Sequence, residues 1–415
     1  MISGMSSGTW INEPQRRGGA EDDAVRRRCQ ELLLRGWLQT RISPRLRASA
    51  VKQMFSADDH EFMAQALRLA EKGLYTTTPN PRVGCVIVRD GKVVGSGWHE
   101  RAGEPHAEIH ALTQAGELAQ GATVYVTLEP CSHHGRTPPC AGALVKAGVG
   151  RVVVAMVDPN PQVAGEGLAQ LQQAGIQTDI GLLEKEAHEL NIGFVFRMTC
   201  GRPWLRLKIA ASLDGKTALN NGVSQWITGA AARRDAHRLR ARSCAVLTGI
   251  GTVLADDPML NVREVETTRQ PLRIVVDSAL RMPPTAKMLL EEEILVVTAS
   301  SDQARAGRLR EAGAEVLVLP PLDGRVDLAR MLDELGRRGI NEITVEAGRG
   351  LNGALARQGL VDEFVIYFAP LLLGDRARGM FDLPELVEMG ERRELRIADV
   401  AMVGRDVRIR ALPVE

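Results

Sequence analysis

The sequence predicts an α/β protein of two domains, and three observations support this prediction. Its 415 residues exceed the length of one typical domain, about 100 to 200 residues. Strand-like runs alternate with segments of helical periodicity along most of the chain. Gly201-Arg202-Pro203 interrupts that alternation near the middle. We therefore expect a first domain over residues 54–200 and a second over residues 201–415.

Composition and charge exclude several classes of protein. The chain is 44% apolar and 25% charged, which excludes collagen-like, coiled-coil and wholly disordered proteins. The formal net charge of +1 divides into +5 for residues 1–53 and −4 for the remainder. The main body thus has no basic field to attract a nucleic acid. The longest apolar run, Val152–Val157, is far shorter than the roughly 20 residues of a membrane span. With no secretory signal at the start, the default expectation is a cytoplasmic protein.

The first 53 residues differ in composition from the rest of the chain. Gly, Ser and Arg are frequent there, and residues 22–38 are the only helix-like stretch. We interpret residues 1–53 as a disordered extension or as the result of a start codon assigned too far upstream.

The elements of the first domain are predicted from local signals. A helix is predicted to begin after the capping residues that start at Ser56 and to end at Gly73. Asp90-Gly91 is typical of a tight hairpin turn, and it joins two strands over 83–89 and 92–98. Further helices are predicted over 107–115, 140–147 and 168–174, with strands over 122–128 and 152–157. A bridging helix over 182–196 leads to the second domain.

The second domain repeats the alternation with shorter helices. Its predicted strands cover residues 204–210, 245–248, 273–276, 294–298, 316–319, 343–345 and 364–368.

Four residues of the first domain form a candidate metal site. His106 precedes Glu108 by two positions, and Cys131 and Cys140 lie downstream. One imidazole and two thiolates fill three corners of a tetrahedral zinc site and leave the fourth for water, as catalysis requires. Zinc lowers the pKa of that water, while a carboxylate that is not a ligand moves the proton. Glu108 is the candidate for that role.

A structural zinc site, or plain burial of the thiols, is the alternative for the same residues. Glu108 discriminates between a catalytic and a structural metal site, because a structural site has no use for a carboxylate that is not a ligand. Cys85 lies in an apolar strand and is expected in the core. Five histidines have no partner pattern and are expected to be structural or exposed, namely His60, His99, His110, His188 and His237.

The pattern His-x-Glu with a downstream Pro-Cys and a second Cys resembles the zinc-dependent cytidine deaminase superfamily. Eight residues separate Cys131 from Cys140, where most relatives have two. This insert, together with Thr78-Pro79-Asn80-Pro81, resembles the bifunctional deaminase-reductase family of riboflavin biosynthesis. The resemblance implies a cytidine-deaminase-like α/β/α layered domain and, after it, a dihydrofolate-reductase-like α/β domain. It implies one Zn²⁺, and it places Asn80 against the pyrimidine, whereas Asn80 alone could merely cap a turn.

The loop between the two cysteines has two interpretations. His133, His134 and Arg136 could hold a substrate phosphate beside the metal, or they could form a solvated loop.

The second domain has no strand-linked Gly-x-Gly-x-x-Gly with a later acid, so a standard dinucleotide fold is not predicted. Its strand at 343–345 instead enters a glycine-rich turn before a helix, where free amides can hold a phosphate. The segments 211–215, 224–228 and 252–258 resemble the reductase domain of the same family, which uses NADPH. That resemblance implies dinucleotide contacts at Ala210, Trp226, Thr252, Asp256, Ser278, Gly348, Arg349, Gly350, Leu351, Asn352, Gly353 and Ala354. It implies substrate contacts at Ser224, Arg240, Leu260, Arg263 and Glu346, with Lys208 as a further polar group.

The resemblance implies two consecutive reactions on a small molecule. The first deaminates 2,5-diamino-6-(5-phosphoribosylamino)pyrimidin-4(3H)-one, and the second reduces the ribosyl group to ribityl with NADPH. Asp256 and Lys208 are the candidate proton donors of the second reaction. The family also implies a homo-oligomer. The alternatives are a nucleic-acid-editing deaminase with an appended domain, and a binding protein whose zinc is structural.

Overall fold

The computed structural model describes residues 55–132, 139–160 and 163–414. The predicted extension with its helix-like stretch, and the loop residues His133, His134 and Arg136, lie outside the described residues. The described part contains two large sheets, one built by residues 84–180 and the other by residues 204–413. None of its helices is long and apolar enough to cross a bilayer.

The first sheet has five strands in the order β2-β1-β3-β4-β5. The outer pair β1–β2 and the pair β1–β3 are antiparallel, while β3, β4 and β5 run parallel. Its strands are β1 (Gly84–Arg89), β2 (Lys92–Trp98), β3 (Thr123–Val126), β4 (Arg151–Val154) and β5 (Gln177–Ile180). Its helices are α1 (Ala57–Glu71), α2 (Ala107–Ala115), α3 (Cys140–Lys146) and α4 (Glu166–Gln173), with a 3₁₀ turn at Gly116–Ala119.

Two glycines let helices lie directly on this sheet. A Cβ at Gly84 would lie 1.9 Å from the carbonyl oxygen of Ala66 in α1, and a Cβ at Gly97 would lie 2.5 Å from that of Ala107 in α2. Gly97 pairs with Cys85, the neighbour of Gly84. Because successive residues of a strand face opposite sides, α1 and α2 cover opposite faces. This arrangement is the expected α/β/α layering.

Two helices connect the sheets, α5 (Glu184–Leu190) and α6 (Ile192–Cys200). The prediction of one bridging helix over 182–196 is wrong. The helix breaks at Asn191, whose φ and ψ of −106° and 21° leave the helical region. Its side chain accepts from the backbone N–H of Arg82 and donates to the carbonyl oxygen of Arg82. A contact between distant parts of the chain therefore overrides local periodicity here.

The second sheet has nine strands in the order β11-β10-β9-β8-β14-β6-β15-β18-β17. The first seven of these run parallel, and β18 and β17 continue the sheet antiparallel. Its strands are β6 (Trp204–Ser212), β8 (Ala245–Gly249), β9 (Leu272–Val276), β10 (Ile294–Thr298), β11 (Glu315–Val318), β14 (Glu342–Val345), β15 (Glu363–Ala369), β17 (Leu395–Val403) and β18 (Asp406–Pro413).

Short pairs and helices complete this half. The pairs are β12 (Pro321–Leu322) with β13 (Arg325–Val326) and β7 (Lys216–Ala218) with β16 (Arg378–Gly379). The helices are α7 (Ala230–Arg242), α8 (Ile250–Asp256), α9 (Gln303–Glu311), α10 (Leu328–Arg337) and α11 (Arg349–Arg357), with 3₁₀ turns at Lys287–Leu290 and Met389–Glu391.

All seven strands predicted for the second half form, with ends shifted by at most two residues. The short pairs, the edge strand β5 and the C-terminal hairpin β17–β18 were not predicted. The core on one face of the large sheet includes Leu205, Leu207, Leu247 and Leu335. Parallel strands bring their carboxyl ends to one edge of a sheet, where ligands of open α/β sheets bind.

Candidate active sites

Three side chains of the first sheet's helices and loops converge on one point. His106 immediately precedes α2, Cys140 begins α3, and Cys131 lies after β3. The Nδ1 atom of His106 lies 3.3 Å from the sulfur of Cys140 and 3.6 Å from the sulfur of Cys131. All three potential ligand atoms lie within 4.8 Å of one another. Zinc–ligand bonds of about 2.0 to 2.3 Å place the N and S atoms of a tetrahedral site about 3.5 Å apart, so these residues fit zinc.

The backbone of this site favours a thiolate. The N–H of Cys140 donates to the sulfur of Cys131, 3.3 Å away. The hydrogen bond from the Cys140 thiol, opposed by burial and supported by His106, lowers the pKa of Cys131 below its usual range. A deprotonated sulfur is the form that binds a metal.

Glu108 lies on the first turn of α2, two residues after His106, and only 3% of it is exposed. Its Oε2 atom is buried and has no hydrogen-bond partner among the described residues. Burial raises the pKa of Glu108 to about 7, and the nearby His106 only partly offsets this. Buried carboxylate oxygens are normally paired, so an unpaired one beside a metal-binding cluster fits a group that exchanges protons with a bound molecule.

Asn80 and His99 lie next to this cluster. The Nδ2 of Asn80 donates to the Nε2 of His99 over 3.0 Å, and the His99 ring stacks edge-on against His106 with centroids 5.3 Å apart. The other ring nitrogen of His99 lies 3.2 Å from the carbonyl oxygen of Pro105. His99 is 2% exposed, so of the two expectations, structural or exposed, the structure supports the first, but the place of His99 beside the site was missed. A His seven residues before a ligand gives no local signal.

The loop of Cys131 is fixed by the carboxylate of Glu129. Its two oxygens accept from the backbone N–H groups of Asp158, Gly165, Gly167 and Leu168. Burial raises the pKa of Glu129, although these N–H donors oppose the increase. The carboxylate thereby joins the turn before Cys131 to the start of α4.

The second sheet has a cleft of about 2010 Å³ at the carboxyl ends of its strands. Most residues expected to bind dinucleotide or substrate line it, namely Lys208, Ala210, Ser224, Trp226, Arg240, Thr252, Asp256, Leu260, Arg263, Ser278, Glu346, Gly348, Arg349, Gly350, Leu351 and Ala354. His237 also lines the cleft, a position that its sequence context did not indicate.

Asn352 and Gly353 are the two expected contacts that do not line the cleft. The side chain of Asn352 is buried and its Nδ2 donates to the carbonyl oxygen of Met380. A Cβ at Gly353 would lie 2.2 Å from the carbonyl oxygen of Asp382. Both residues therefore face the segment 380–382, which packs against α11, and not the cleft.

Glu346 is the charged centre of the cleft. It lies directly after β14, and its carboxylate accepts from the guanidinium of Arg240, with one contact of 3.0 Å, and from the Nζ of Lys208 at 3.4 Å. Burial would raise the pKa of Glu346, but these two cations outweigh it and hold the pKa well below its usual range. Glu346 is therefore ionised, and it holds both cations in place.

The loop before Arg263 has a defined shape. Leu260 has a φ of 52°, an uncommon conformation for a residue with a branched side chain. The backbone N–H of Arg263 donates to the Nδ1 of His237 at 3.3 Å. Burial lowers the pKa of His237 to about 4, with the charges of Arg240 and Arg263 acting in the same direction. His237 is thus a neutral acceptor at pH 7.

The start of α11 offers free backbone donors to the cleft. Gly348 is the residue at its N-cap, and no side chain caps the helix there. Amides at such a position, with the positive end of the helix dipole, bind a phosphate well. Elsewhere in the lining of the cleft, the guanidinium of Arg233 lies 4.6 Å from the ring centre of Trp226.

Fold and sites together define a zinc-dependent deaminase and a reductase joined in one chain. Residues 56–156 match the family model of the cytidine and deoxycytidylate deaminase zinc-binding region, and residues 203–409 match that of the RibD C-terminal domain. The chain belongs to the RibD family of riboflavin biosynthesis proteins. This confirms the predicted family, fold class, zinc and bifunctional deaminase and reductase activity, and it does not favour a nucleic-acid-editing enzyme.

The relatives are covered over nearly their whole length. The chain is 51% identical to riboflavin biosynthesis protein RibD of Escherichia coli (strain K12) over 361 residues, 84% of this chain and 98% of the relative. It is 47% identical to RibD of Haemophilus influenzae, covering 86% and 98%.

Two solved structures give the same result. Acinetobacter baumannii RibD superposes with a TM-score of 0.80 at 47% identity, covering 86% of this chain and 99% of that one. A Thermotoga maritima protein described as a diaminohydroxyphosphoribosylaminopyrimidine deaminase and 5-amino-6-(5-phosphoribosylamino)uracil reductase superposes with a TM-score of 0.77 at 32% identity, with the same coverage.

Proposed function

We propose that the chain first deaminates 2,5-diamino-6-(5-phosphoribosylamino)pyrimidin-4(3H)-one to 5-amino-6-(5-phosphoribosylamino)uracil. It then reduces the ribosyl group of that product to ribityl with NADPH. The description of the Thermotoga maritima relative supports these substrates. The observation that carries the proposal is the buried, unpaired Oε2 of Glu108 beside the cluster of His106, Cys131 and Cys140.

In the deamination, Glu108 moves the proton. A zinc ion held by His106, Cys131 and Cys140 would acidify a water molecule and so supply a nucleophile near neutral pH. The Oε2 of Glu108 accepts a proton from the attacking water and passes it to the amine that leaves as ammonia. Its raised pKa suits a group that must both accept and donate near pH 7. Asn80 orients the pyrimidine, with its amide held by His99.

In the reduction, different residues of the cleft bind the phosphorylated substrate and the dinucleotide. Arg240 and Arg263 bind the ribose phosphate, for which guanidinium groups have a suitable planar geometry. The dinucleotide is bound by residues of the turn and first part of α11 that line the cleft, Gly348, Arg349, Gly350, Leu351 and Ala354, and by Ala210, Trp226, Thr252, Asp256 and Ser278. NADPH bound by these residues would supply the hydride that reduces C1′ of the opened ribosyl group.

The remaining substrate contacts are Ser224, Leu260, Glu346 and Lys208. Lys208 and Asp256 are the two candidate proton donors, and alanine at each in turn should identify the donor by the loss of hydride transfer.

Ammonia release by wild type and by Glu108→Gln tests the proposal, with zinc content measured on both proteins. We expect equal zinc content and a rate lower by about 10² to 10⁴, the usual contribution of a general acid or base. Equal rates would contradict the role of Glu108 and favour a structural metal site.

We further propose a homo-oligomer, supported by the outer strand β17. The register of β17 shifts between Ile397 and Asp399, so that Leu395, Ile397, Val400 and Met402 share one face. All four are exposed, at 42%, 60%, 57% and 67%. An exposed apolar edge strand is a site of association. In sedimentation, wild type should behave as an oligomer and Ile397→Lys as a smaller species.

A cytoplasmic location and a domain boundary near residue 200 are part of the same proposal. The polar chemistry of the substrate supports the first, and the division of the two sheets on either side of Gly201 supports the second.

A further inference from the structure

The segment that carries Asn80 contacts the reductase sheet directly. It runs from Thr78 to Arg82, between α1 and β1. The Nδ2 of Asn341 donates to the carbonyl oxygen of Pro79 over 2.7 Å, although the two residues are 262 positions apart. The guanidinium of Arg82 donates to the Oε1 of Glu342, also at 2.7 Å. Asn341 and Glu342 lie at the beginning of β14, the strand that leads to Glu346 in the reductase cleft.

Asn341, which immediately precedes β14, and Glu342, its first residue, are both held from other directions as well. The Oδ1 of Asn341 accepts from the Nε of Arg197 in α6. Glu342 also contacts the guanidinium groups of Arg206 and Arg242. Burial would raise the pKa of Glu342, but the three guanidinium groups outweigh it and hold the pKa well below its usual range. The start of β14 is thus a fixed support for the segment 78–82.

The same support reaches the deaminase site through one residue. Asn80 comes directly after Pro79, so the hydrogen bond from Asn341 holds the peptide that precedes it. On its other side Asn80 contacts His99, which stacks on His106. Asn80 is therefore located between the metal-binding cluster and the first residues of β14.

We infer that Asn341 is a positioning residue for the deamination, because it holds the Pro79 carbonyl and thereby sets the place of Asn80. The reductase sheet completes the deaminase site in this way, and Asn341 itself does not touch the pyrimidine. The inference depends on the proposed contact between Asn80 and the pyrimidine.

Steady-state kinetics of both reactions test this inference. Asn341→Ala removes both hydrogen bonds of the amide. Asn341→Asp keeps an acceptor for Arg197 and loses the donor to Pro79. For both variants we expect the KM of the deamination to rise about fivefold, the change that one hydrogen bond supplies, with kcat within about twofold. Reduction of the already deaminated substrate by these variants should keep the wild-type KM and kcat.

Arg408→Ala is the matched control. The guanidinium of Arg408 in β18 pairs with Asp235 at 2.9 Å and with Asp399 at 3.0 Å, and both partners belong to the reductase half. Its loss destabilises the protein without moving Asn80. We therefore expect its melting temperature to fall and its deaminase KM to stay at the wild-type value.

A double-mutant cycle with Asn80→Ala separates the inference from the proposed function. If Asn341 acts through Asn80, Asn80→Ala/Asn341→Ala has the same deaminase KM as Asn80→Ala alone. If the double variant has a KM raised by the product of the two single changes, the inference is overturned and the proposed function stands. The same holds if Asn341→Ala has a wild-type KM while Asn80→Ala has a raised one. A wild-type KM in Asn80→Ala would overturn both the proposed contact of Asn80 and the inference.

Discussion

Glu342→Gln should destabilise the protein strongly, because it removes one buried negative charge from among three guanidinium groups, two of which are buried. The carboxylate is 1% exposed and lies 2.7 Å from Arg82, 2.7 Å from Arg242 and 3.3 Å from Arg206. Glutamine keeps the size of the side chain, so the change leaves no cavity. It leaves the guanidinium groups of Arg82 and Arg242 without a carboxylate partner among the described residues, whereas Arg206 keeps its contact with Glu363 at 2.8 Å.

The magnitude depends on this burial. Removing one partner of a buried ion pair costs about 3 to 5 kcal/mol. For a domain of about 150 to 250 residues, the size of the half that spans residues 204–413, each kcal/mol lowers the melting temperature by about 2 to 4 °C. We therefore expect a melting temperature about 10 °C below that of wild type.

Glu315→Gln is the matched control for this experiment. Glu315 pairs with Arg338 at the same distance of 2.7 Å, but its side chain is 59% exposed. Exposed pairs contribute about 0 to 1 kcal/mol, so the melting temperature of this variant should change by no more than about 3 °C. Scanning calorimetry of the three proteins measures both shifts. Equal shifts in the two variants would contradict the prediction, since burial would then make no difference.

The same substitution should change the dependence of stability on pH. The pKa of Glu342 lies well below its usual range in the folded protein and returns to about 4.3 on unfolding. A carboxylate with a depressed folded pKa stabilises the protein above the unfolded pKa, and this contribution is lost as the pH falls. Wild type should therefore lose more free energy of unfolding than Glu342→Gln between pH 6 and pH 3, as measured by urea denaturation.

Three further outcomes are expected. Cys131→Ser should lower zinc content and ammonia release together, each by more than about tenfold, while reduction of the deaminated substrate stays unchanged. A normal zinc content would contradict the assignment of Cys131 as a zinc ligand. Arg263→Ala should raise the KM of the reduction about tenfold, because a charge-assisted hydrogen bond to the phosphate is lost, and an unchanged KM would exclude that contact. His237→Gln should lose less free energy of unfolding than wild type on acidification from pH 7 to pH 4.5. Burial lowers the pKa of His237 to about 4 in the folded protein from about 6.5 in the unfolded chain, so protonation favours unfolding in wild type. The same pH dependence of both proteins in urea denaturation would contradict this.

Local sequence signals predicted several elements with their observed bounds. The helix 107–115 follows Pro105, the strand 92–98 follows the Asp90-Gly91 turn, and the strand 294–298 is a short apolar run between polar segments. The metal-binding cluster was also predicted, because residue type and spacing alone define its chemistry.

Other features depend on distant contacts and left no local pattern. The strand β5 is a short polar edge strand, Gln-Thr-Asp-Ile, which has no alternation to detect. In β17 the register shift after Ile397 interrupts the alternation, so the hairpin was missed.

The contact between Asn341 and Pro79 depends on the order of strands in the second sheet. That order is set by packing of the whole chain, which no single segment encodes. The place of His99 beside Asn80 has the same origin. The site could therefore be predicted as far as its ligands and its carboxylate, but not as far as the residues that support them.

NADPH oxidation by the purified protein tests whether the two reactions occur in sequence and whether the first depends on Glu108. Wild type and Glu108→Ala are each given the diamino substrate or the already deaminated one. We predict that wild type oxidises NADPH with either substrate, and that Glu108→Ala does so only with the deaminated one. Release of ammonia by wild type without NADPH oxidation, or NADPH oxidation by Glu108→Ala with the diamino substrate, would contradict this prediction.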